Sequence, residues 1–467
     1  MKPKKTILQI PVEHQIRELD AKLLLAIIAA KRGFTSVIGW REELKSRISS
    51  FPRSIYIAKD LLSGSRNMFK IMHKLGCKIV AWDEEGFVHN SPEIYYETNL
   101  SSESLKYVSH LFAWGLENAE LWRQYPERPI GTPIHVTGNP RGDLLRPDMH
   151  VYYQKSTEDL RNAYRNFILI NANFTCVNAI IPAQNLFFPE NQPVEKLKVA
   201  RAARYMSREY AEGLRDHFQS IFADFQRLIP ALEQSFPDYT IVVRPHPTES
   251  HEIYNEIAAQ CKQVRVTNEG NVIPWILASK AVIHNGCTTG VEAYVMGVPV
   301  LAYRATVNEY YDNKLFRLPN LLSHQCFDFE ELRVTLKSIL AGELRAEDGD
   351  ERKALLNYHL TAQDGPLACE RILDVLEKTL DGRSELPKPA LGDWLNGHYK
   401  ATRRILKRRF KSTFQDSNDK SKFDRHRYPG VSLEEVCTRV SLFQQLLGES
   451  RDLEVDQIGK HIFQIRA

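Results

Sequence analysis

The sequence predicts an α/β protein: two doubly wound, Rossmann-like halves facing a cleft, followed by a basic helical extension. Three observations lead there. Short strand-like runs alternate with helix-length amphipathic runs over roughly the first 145 residues. The alternation restarts near Asn166. The C-terminal stretch, roughly 85 residues, loses it and turns polar, rich in Arg and Lys and mostly helical. With 467 residues the chain exceeds what one core usually serves. The expected division is 1–150, 151–383 and 384–467.

In the first half, Thr6–Ile10 reads as a strand and Leu19–Arg32 as a helix, with Gly33 suited to its C-terminal cap. Ser36–Gly39 and Ser54–Ala58 read as buried strands. Met68–Leu75 is helical up to Gly76. Lys78–Trp82, Leu111–Trp114 and Ile134–Thr137 complete the strands, the last leading into Gly138-Asn139-Pro140-Arg141. In the second half Phe167–Asn171 is a strong strand, and a helical region is expected from about Glu195 to Gln234. Strands follow at Thr240–Val243, Val264–Thr267, Ala281–His284 and Val300–Tyr303. Sheets of this kind take ligands at the carboxyl ends of their strands.

Composition narrows the function classes. Hydrophobic residues are 43% and charged residues 26%, as in soluble globular proteins. The net charge of +4 is too small for a general nucleic-acid binder. No apolar run approaches the roughly 20 residues of a membrane span, since Leu23–Ala30 is closed by Lys22 and Lys31. The basic start, Met1 to Lys5, runs into Glu13, His14 and Arg17, which reads as a first strand and loop, not a signal peptide. Seven scattered cysteines without a CxxC suit reduced thiols in a cytoplasmic protein.

Four strings hold candidate chemistry. Arg244-Pro245-His246-Pro247 follows a strand, and its prolines fix the backbone around His246 at the mouth of a sheet. That position suits a phosphate contact, although a rigid strand exit has the same sequence. His284-Asn285-Gly286-Cys287-Thr288-Thr289-Gly290 links a strand to a helix expected over Val291–Met296. Its free N–H groups and the Thr288 and Thr289 hydroxyls suit an anion, and Glu292 suits a ribose diol. Plain N-capping by Thr with a satisfied Glu is the alternative. The two strings are expected at adjacent strand ends, so a nucleotide site is favoured, drawing on Arg244, His246, Pro247, Asn285, Gly286, Thr288, Thr289, Gly290, Glu292 and, from the first half, Asn139. The third string, Asp83-Glu84-Glu85 after Trp82, sets three carboxylates at a strand end, where they should raise one another's pKa. Such a group suits a nucleophile or general acid/base, and a solvated turn is its alternative. Glu13-His14 after the first strand is the fourth.

There is no GxxxxGK[ST], no GxGxxG after a strand, and no HExxH or Cys/His cluster. Asp348-Gly349-Asp350 lies in a polar run between helices and is not expected to bind a metal.

Several strings together resemble bacterial surface-carbohydrate biosynthesis proteins similar to GT-B retaining β-Kdo transferases. They are IPVEHQIRELDAKLLLA from Ile10, WDEEGF from Trp82, TGNPRGDLL from Thr137, ILINANF from Ile168, RPHP from Arg244, HNGCTTGVEAYVMGVPVLAYR from His284, and DRHRYPG from Asp424. RPHP and the Thr-Thr-Gly helix are shared with sialyltransferase-like and teichoic-acid-type transferases. The resemblance implies a CMP-activated ulosonic acid such as CMP-Kdo as donor, a saccharide or lipid-linked acceptor, and no metal. It implies that His246 contacts the donor phosphate, Thr288 and Thr289 hold it, and Glu292 takes the ribose. It draws the catalytic carboxylates from Asp83, Glu84, Glu85 and Glu13 without assigning their roles. Competing readings are a CDP-alcohol phosphotransferase of the teichoic-acid type, a two-Rossmann epimerase, and a non-catalytic subunit of an envelope-polymer assembly.

The run Lys400–Lys411 holds seven basic residues and no acidic one, with Ile405, Leu406, Phe410 and Phe414 at helical spacing. It suits peripheral attachment to an anionic membrane at the cytoplasmic face, or a strut packed on the core.

Overall fold

A computed structural model describes residues 6–89, 91–188, 198–204, 206–312, 314–346, 348–380, 383, 385–414, 427–448 and 452–467. The chain packs into two compact units. One gathers Met1–Phe87, Tyr95–Tyr152 and Asn357–Ala467, and the other Val88–Ile94 and Tyr153–Leu356. Packing thus closes the second unit at Leu356 instead of 383, and the C-terminal part joins the first unit instead of standing apart. A buried contact shows why. The Asp143 carboxylate, 1% exposed, accepts from the N–H groups of Ala368 (2.7 Å) and Cys369 (2.9 Å), capping the helix Ala368–Leu380.

The first sheet contains β1 (Ile7–Val12), β2 (Thr35–Trp40), β3 (Ser54–Ala58), β4 (Lys78–Ala81), β5 (Val108–Ala113) and β6 (Ile134–Val136). It is extended by a terminal hairpin whose strands, Glu454–Gly459 and Ile462–Arg466, sequence periodicity did not reveal. From that hairpin inward the order is β2-β1-β3-β4-β5-β6, all parallel, while the hairpin pairs antiparallel with β2. The strand order reverses about β1, so the switch point lies between β1 and β3.

The second sheet contains β7 (Phe167–Asn171), β8 (Thr240–Arg244), β9 (Val264–Val266), β10 (Ala281–His284), β11 (Val300–Tyr303) and β12 (His324–Cys326). The order β12-β11-β10-β7-β8-β9 is wholly parallel. Numbered within the unit this is 6-5-4-1-2-3, the dinucleotide-fold order, with its switch point between β7 and β10. Its central strands read as unbroken apolar runs because both faces are covered, and Ile168, Leu169, Ile170, Val282 and Ile283 are fully buried. The long helix covers Arg208–Ser235, opening where the Ser207 hydroxyl accepts from Tyr210 N–H. The helical region expected from Glu195 therefore starts later, and residues 189–197 lie outside the described ones. Two Rossmann-like parallel-sheet units with a largely helical C-terminal part thus match the fold class read from the sequence.

Candidate functional site

At the first switch point the strand ends carry interlocked charges. Lys22, on the helix Gln15–Lys31, reaches back to Glu18 (2.6 Å), to Glu84 (3.0 Å) and to the Pro11 carbonyl (2.8 Å). Lys59, just past β3, bridges Glu18 (2.7 Å) and Glu13 (3.0 Å). Arg41 joins Glu13 (2.7 Å) to Asp60 (2.5 Å), and Arg427 closes on Glu13 from the C-terminal segment. Lys22 and Glu18 are each 2% exposed, so removing either would leave the other's charge buried with one partner fewer. Burial works against the Glu13 charge, but Lys59, Arg41 and Arg427 outweigh it and hold its pKa at about 2. Glu18 is likewise lowered, with Lys22 and Lys59 overcoming burial. His14 is pushed down to about 4, chiefly by burial. Beside this network Arg41, Lys45, Tyr56, Lys59, Asp60 and Ser65 line a small pocket.

The Asp83-Glu84-Glu85 loop is neither a solvated turn nor a self-repelling triplet, because its carboxylates point to different partners. Asp83 is buried, accepts from Tyr95 Oη (2.7 Å) and Glu85 N–H (3.0 Å), and rises to about 6, mainly through burial. Glu84 joins Lys22 and accepts from Trp82 Nε1 at 3.0 Å. Glu85 stands at the surface in a two-pronged pair with Arg17, both contacts at 3.0 Å. Mutual repulsion is a minor cause here: it adds to the rise at Asp83 after burial, and Glu85 is lowered, not raised. Asn139, 2% exposed, caps the short helix Pro140–Asp143 by accepting from Arg141 N–H, and Arg141 donates to the Glu84 carbonyl at 3.2 Å.

At the second switch point the groups are amides, hydroxyls and imidazoles. Asn285, directly after β10, accepts from Asn173 N–H (3.1 Å) and donates to the Asn173 carbonyl (3.0 Å), tying the two strand ends across the crevice. His284 is fully buried. Its Nδ1 accepts from Gly286 N–H (2.8 Å), so the proton sits on Nε2 and faces the Ser323 hydroxyl at 2.9 Å. Burial lowers its pKa to about 3, which keeps the ring neutral. That ring sets the glycines of the string. Gly286 sits at φ +85, and Gly290 lies so close to His284 that a Cβ there would come within 2.4 Å of Nε2. The helix begins at Thr288, not Val291, with Cys287 at the N-cap and no side-chain cap. Thr288 and Thr289 thus occupy the first turn, and plain N-capping by Thr does not occur. Among the described residues, the buried Asn171 Nδ2 has no hydrogen-bond partner, and the Thr289 side chain faces the Cys287 thiol.

The proline-flanked loop after β8 is equally ordered. The His246 Nδ1 accepts from Thr248 N–H (3.3 Å) and lies 2.9 Å from the Thr248 hydroxyl, which favours a proton on Nε2. The buried Glu249 carboxylate gathers the N–H groups of His246 (3.2 Å) and Phe174 (3.1 Å) and the Tyr254 hydroxyl (2.5 Å). Arg244 donates to the carbonyls of Glu269 (2.8 Å) and Gly270 (3.1 Å) over the Trp275 ring, so its visible role is to hold that loop. The expectation of adjacent strand ends is corrected: β8 and β10 flank β7, which separates His246 from Thr288 by about two strand spacings, roughly 10 Å. Pro247 and Glu292 remain on the elements expected for them, Glu292 inside the helix and 7% exposed.

Sequence reasoning missed Lys22, Lys59, Arg41 and Arg427 as partners of the acidic groups, and His284 as the organiser of its turn. The buried lysine four residues after Glu18 was a readable signal. The Arg427–Glu13 pair, 414 residues apart, had none.

The second unit is therefore a Rossmann-type unit with a glycine-organised helix N-terminus at its switch point, the class of fold that receives nucleotides there. No family model matches the chain, and no curated protein matches it. Among solved structures, a variant of the wall teichoic acid polymerase TagF soaked with CDPG aligns over 82% of this chain and 89% of its own, at 10% identity and TM-score 0.49. The S. aureus MnaA–UDP complex covers 82% and 99% at 13% identity and 0.44. The Methanocaldococcus jannaschii UDP-GlcNAc 2-epimerase with UDP-GlcNAc and UDP covers 80% and 100% at 12% and 0.44. All three fall below a TM-score of 0.5, so they assign neither family nor substrate.

Proposed function

We propose that the protein is a glycosyltransferase that draws on a nucleotide-activated donor, with the donor held at the β7–β10 switch point of the second unit. The observation that carries this reading is the start of the helix Thr288–Val295, which has no side-chain cap, beside the buried, unpartnered Asn171 Nδ2. These are donors set out for an anion. In this reading Thr288 and Thr289 hold the phosphate from one side of β7, and His246 approaches from the other through the Nε2 proton that Thr248 favours. Asn285, Gly286 and Gly290 shape the turn, and Glu292 takes the ribose. The string-by-string resemblance argues for a CMP-activated ulosonic acid such as Kdo, and for a surface-polysaccharide or lipid-linked acceptor. A nucleoside monophosphate leaving group carries the charge of one phosphate, less than a diphosphate's, which His, N–H dipoles and hydroxyls can stabilise.

The resemblance draws the catalytic carboxylates from Asp83, Glu84, Glu85 and Glu13, and two of these differ in kind. Asp83, with a pKa near 6, is suited to give and take a proton near neutral pH. Glu13, held near 2, stays ionised and suits a nucleophilic or charge-stabilising role.

Calorimetry with CMP, CDP and UDP, followed by turnover of CMP-Kdo, CDP-glycerol and UDP-GlcNAc, tests the reading. CMP should bind best, and CMP should be released only from CMP-Kdo. His246→Ala should abolish most turnover. Turnover of CDP-glycerol instead would make the protein a CDP-alcohol phosphotransferase. CMP binding without any turnover would make it an assembly subunit.

A further inference from the structure

We propose that the helix Leu391–Phe414 of the first unit docks the protein on an anionic lipid surface. The orientation of the helix carries the proposal. Its small residues face inward: Gly397 is buried, with space for a Cβ only 3.0 Å from Leu75 Cδ2, and Ala401 is 1% exposed. Its large apolar residues face outward. Leu391 is 72% exposed, Leu395 55%, Tyr399 65% and Leu406 59%. With the exposed Thr402 they follow steps of four, four, three and four residues, which is one continuous stripe on a helix. Trp394, 42% exposed and tilted at 58° against the His398 ring, flanks it. A helix serving only as a strut would turn this stripe toward the core. The sequence placed the stripe at Ile405, Leu406, Phe410 and Phe414. Here Ile405 is half-buried, and the side chains of residues 408–414 lie outside the described ones.

Charge selects the occupant. Arg403 and Lys407 are exposed beside the stripe, and Lys400–Lys411 holds seven cations and no anion. An isologous contact with a second copy would set these cations against one another. A nucleic acid would match the charge but leave the Leu and Tyr stripe unused. An anionic bilayer surface takes both: hydrocarbon receives the stripe, aromatic rings sit at the headgroup level, and lipid phosphates meet the cations. No helix among the described residues is long and apolar enough to cross a membrane, so the contact is one lying on the surface. This proposal stands whether or not the donor assignment is correct.

The test is co-sedimentation of the full chain with phosphatidylcholine vesicles, with and without phosphatidylglycerol, at low and high salt. Wild type should sediment with anionic vesicles at low salt and be released by high salt. Arg403→Gln with Lys407→Gln should lower the anionic-vesicle partition about thirtyfold. Leu395→Ser with Tyr399→Ser and Leu406→Ser should lose binding at least tenfold while keeping the wild-type melting temperature. Tryptophan emission should shift to the blue when anionic vesicles are added, and Trp394→Phe should remove that shift. Equal binding to neutral and anionic vesicles, unchanged partition of both variants, or self-association that the apolar variant abolishes without any lipid binding would each overturn the proposal.

Discussion

At the switch point of the first sheet, carboxylates and cations neutralise one another at hydrogen-bond distance and are closed off by Arg427 from the far end of the chain. At the switch point of the second, a neutral imidazole and a bridging amide organise a helix start that has no side-chain cap. The backbone geometry is alike in both: parallel strands, a reversal of order, a crevice at their carboxyl ends. The difference lies in who completes the electrostatics. In the first crevice the protein's own charges pair with one another, which holds its groups in position and sets the low pKa of Glu13. In the second, neutral groups hold the turn, and the anion that would meet the helix start is the donor proposed above.

Predictions that break or sharpen this contrast run from large to small. Lys22→Met should have the largest effect, because it leaves Glu18 and Glu84 buried without their shared cation. The expected loss is about 3–5 kcal/mol in chemical denaturation. A loss under about 1 kcal/mol would mean that the first cluster is a solvated surface network.

Gly286→Ala comes next. A Cβ at this φ +85 position would sit 2.3 Å from Phe316 Cδ1. A cost of about 2–3 kcal/mol is expected, with nucleotide binding lost as the turn moves. Wild-type stability and affinity would show that the turn is not held by this packing.

Thr288→Val with Thr289→Val should separate binding from folding. The melting temperature should stay within a few degrees, while CMP affinity falls at least tenfold, the loss of roughly 1.5–3 kcal/mol in charge-assisted hydrogen bonds. Unchanged CMP affinity by calorimetry would remove the anion from this helix start.

The smallest expected effect is in pH dependence. Asp83 and Asp143 are raised from 3.8 to about 6 by burial. Folding therefore favours their protonated forms, and that stabilisation is complete below 3.8 and is lost as pH rises through 6. Glu13 has the opposite sign: lowered from 4.5 to about 2, it stabilises fully above 4.5 and loses that contribution as pH falls through 2. Hydrogen exchange in the helix Gln15–Lys31, corrected for intrinsic rates, should show protection rising as pH drops from 7 toward 5 and falling below about 4. Asp83→Asn should flatten the rise. The helix Thr288–Val295 should keep a larger share of its protection at pH 3. A parallel loss in both helices would place the acid sensitivity outside the first cluster.

Much of the molecule was open to reading from the residues. Parallel strands buried on both faces, such as Phe167–Asn171, announce themselves as apolar runs, and Gly-rich strand-to-helix turns mark where ligands approach. The strings around Asp83, His246 and Thr288 were found this way, because local periodicity and proline or glycine placement are properties of neighbouring residues. The short edge strand β12, three residues long, and the terminal hairpin gave too little pattern to stand out from loops.

Other features depended on residues far apart in sequence meeting in space. Nothing local told the three carboxylates after Trp82 apart. Burial raised Asp83 against the pull of its Tyr95 hydrogen bond, the helix Gln15–Lys31 brought Lys22 to Glu84, and only Glu85 reached the surface. Sheet order placed β7 between the strands bearing His246 and Thr288, which residue spacing cannot convey. Packing also turned the C-terminal helix so that Gly397 and Ala401 face inward and Leu395, Tyr399 and Leu406 face out. Periodicity tells that a helix has two faces; which of them meets the core is decided by the partner surface, and that surface exists only once the chain has folded.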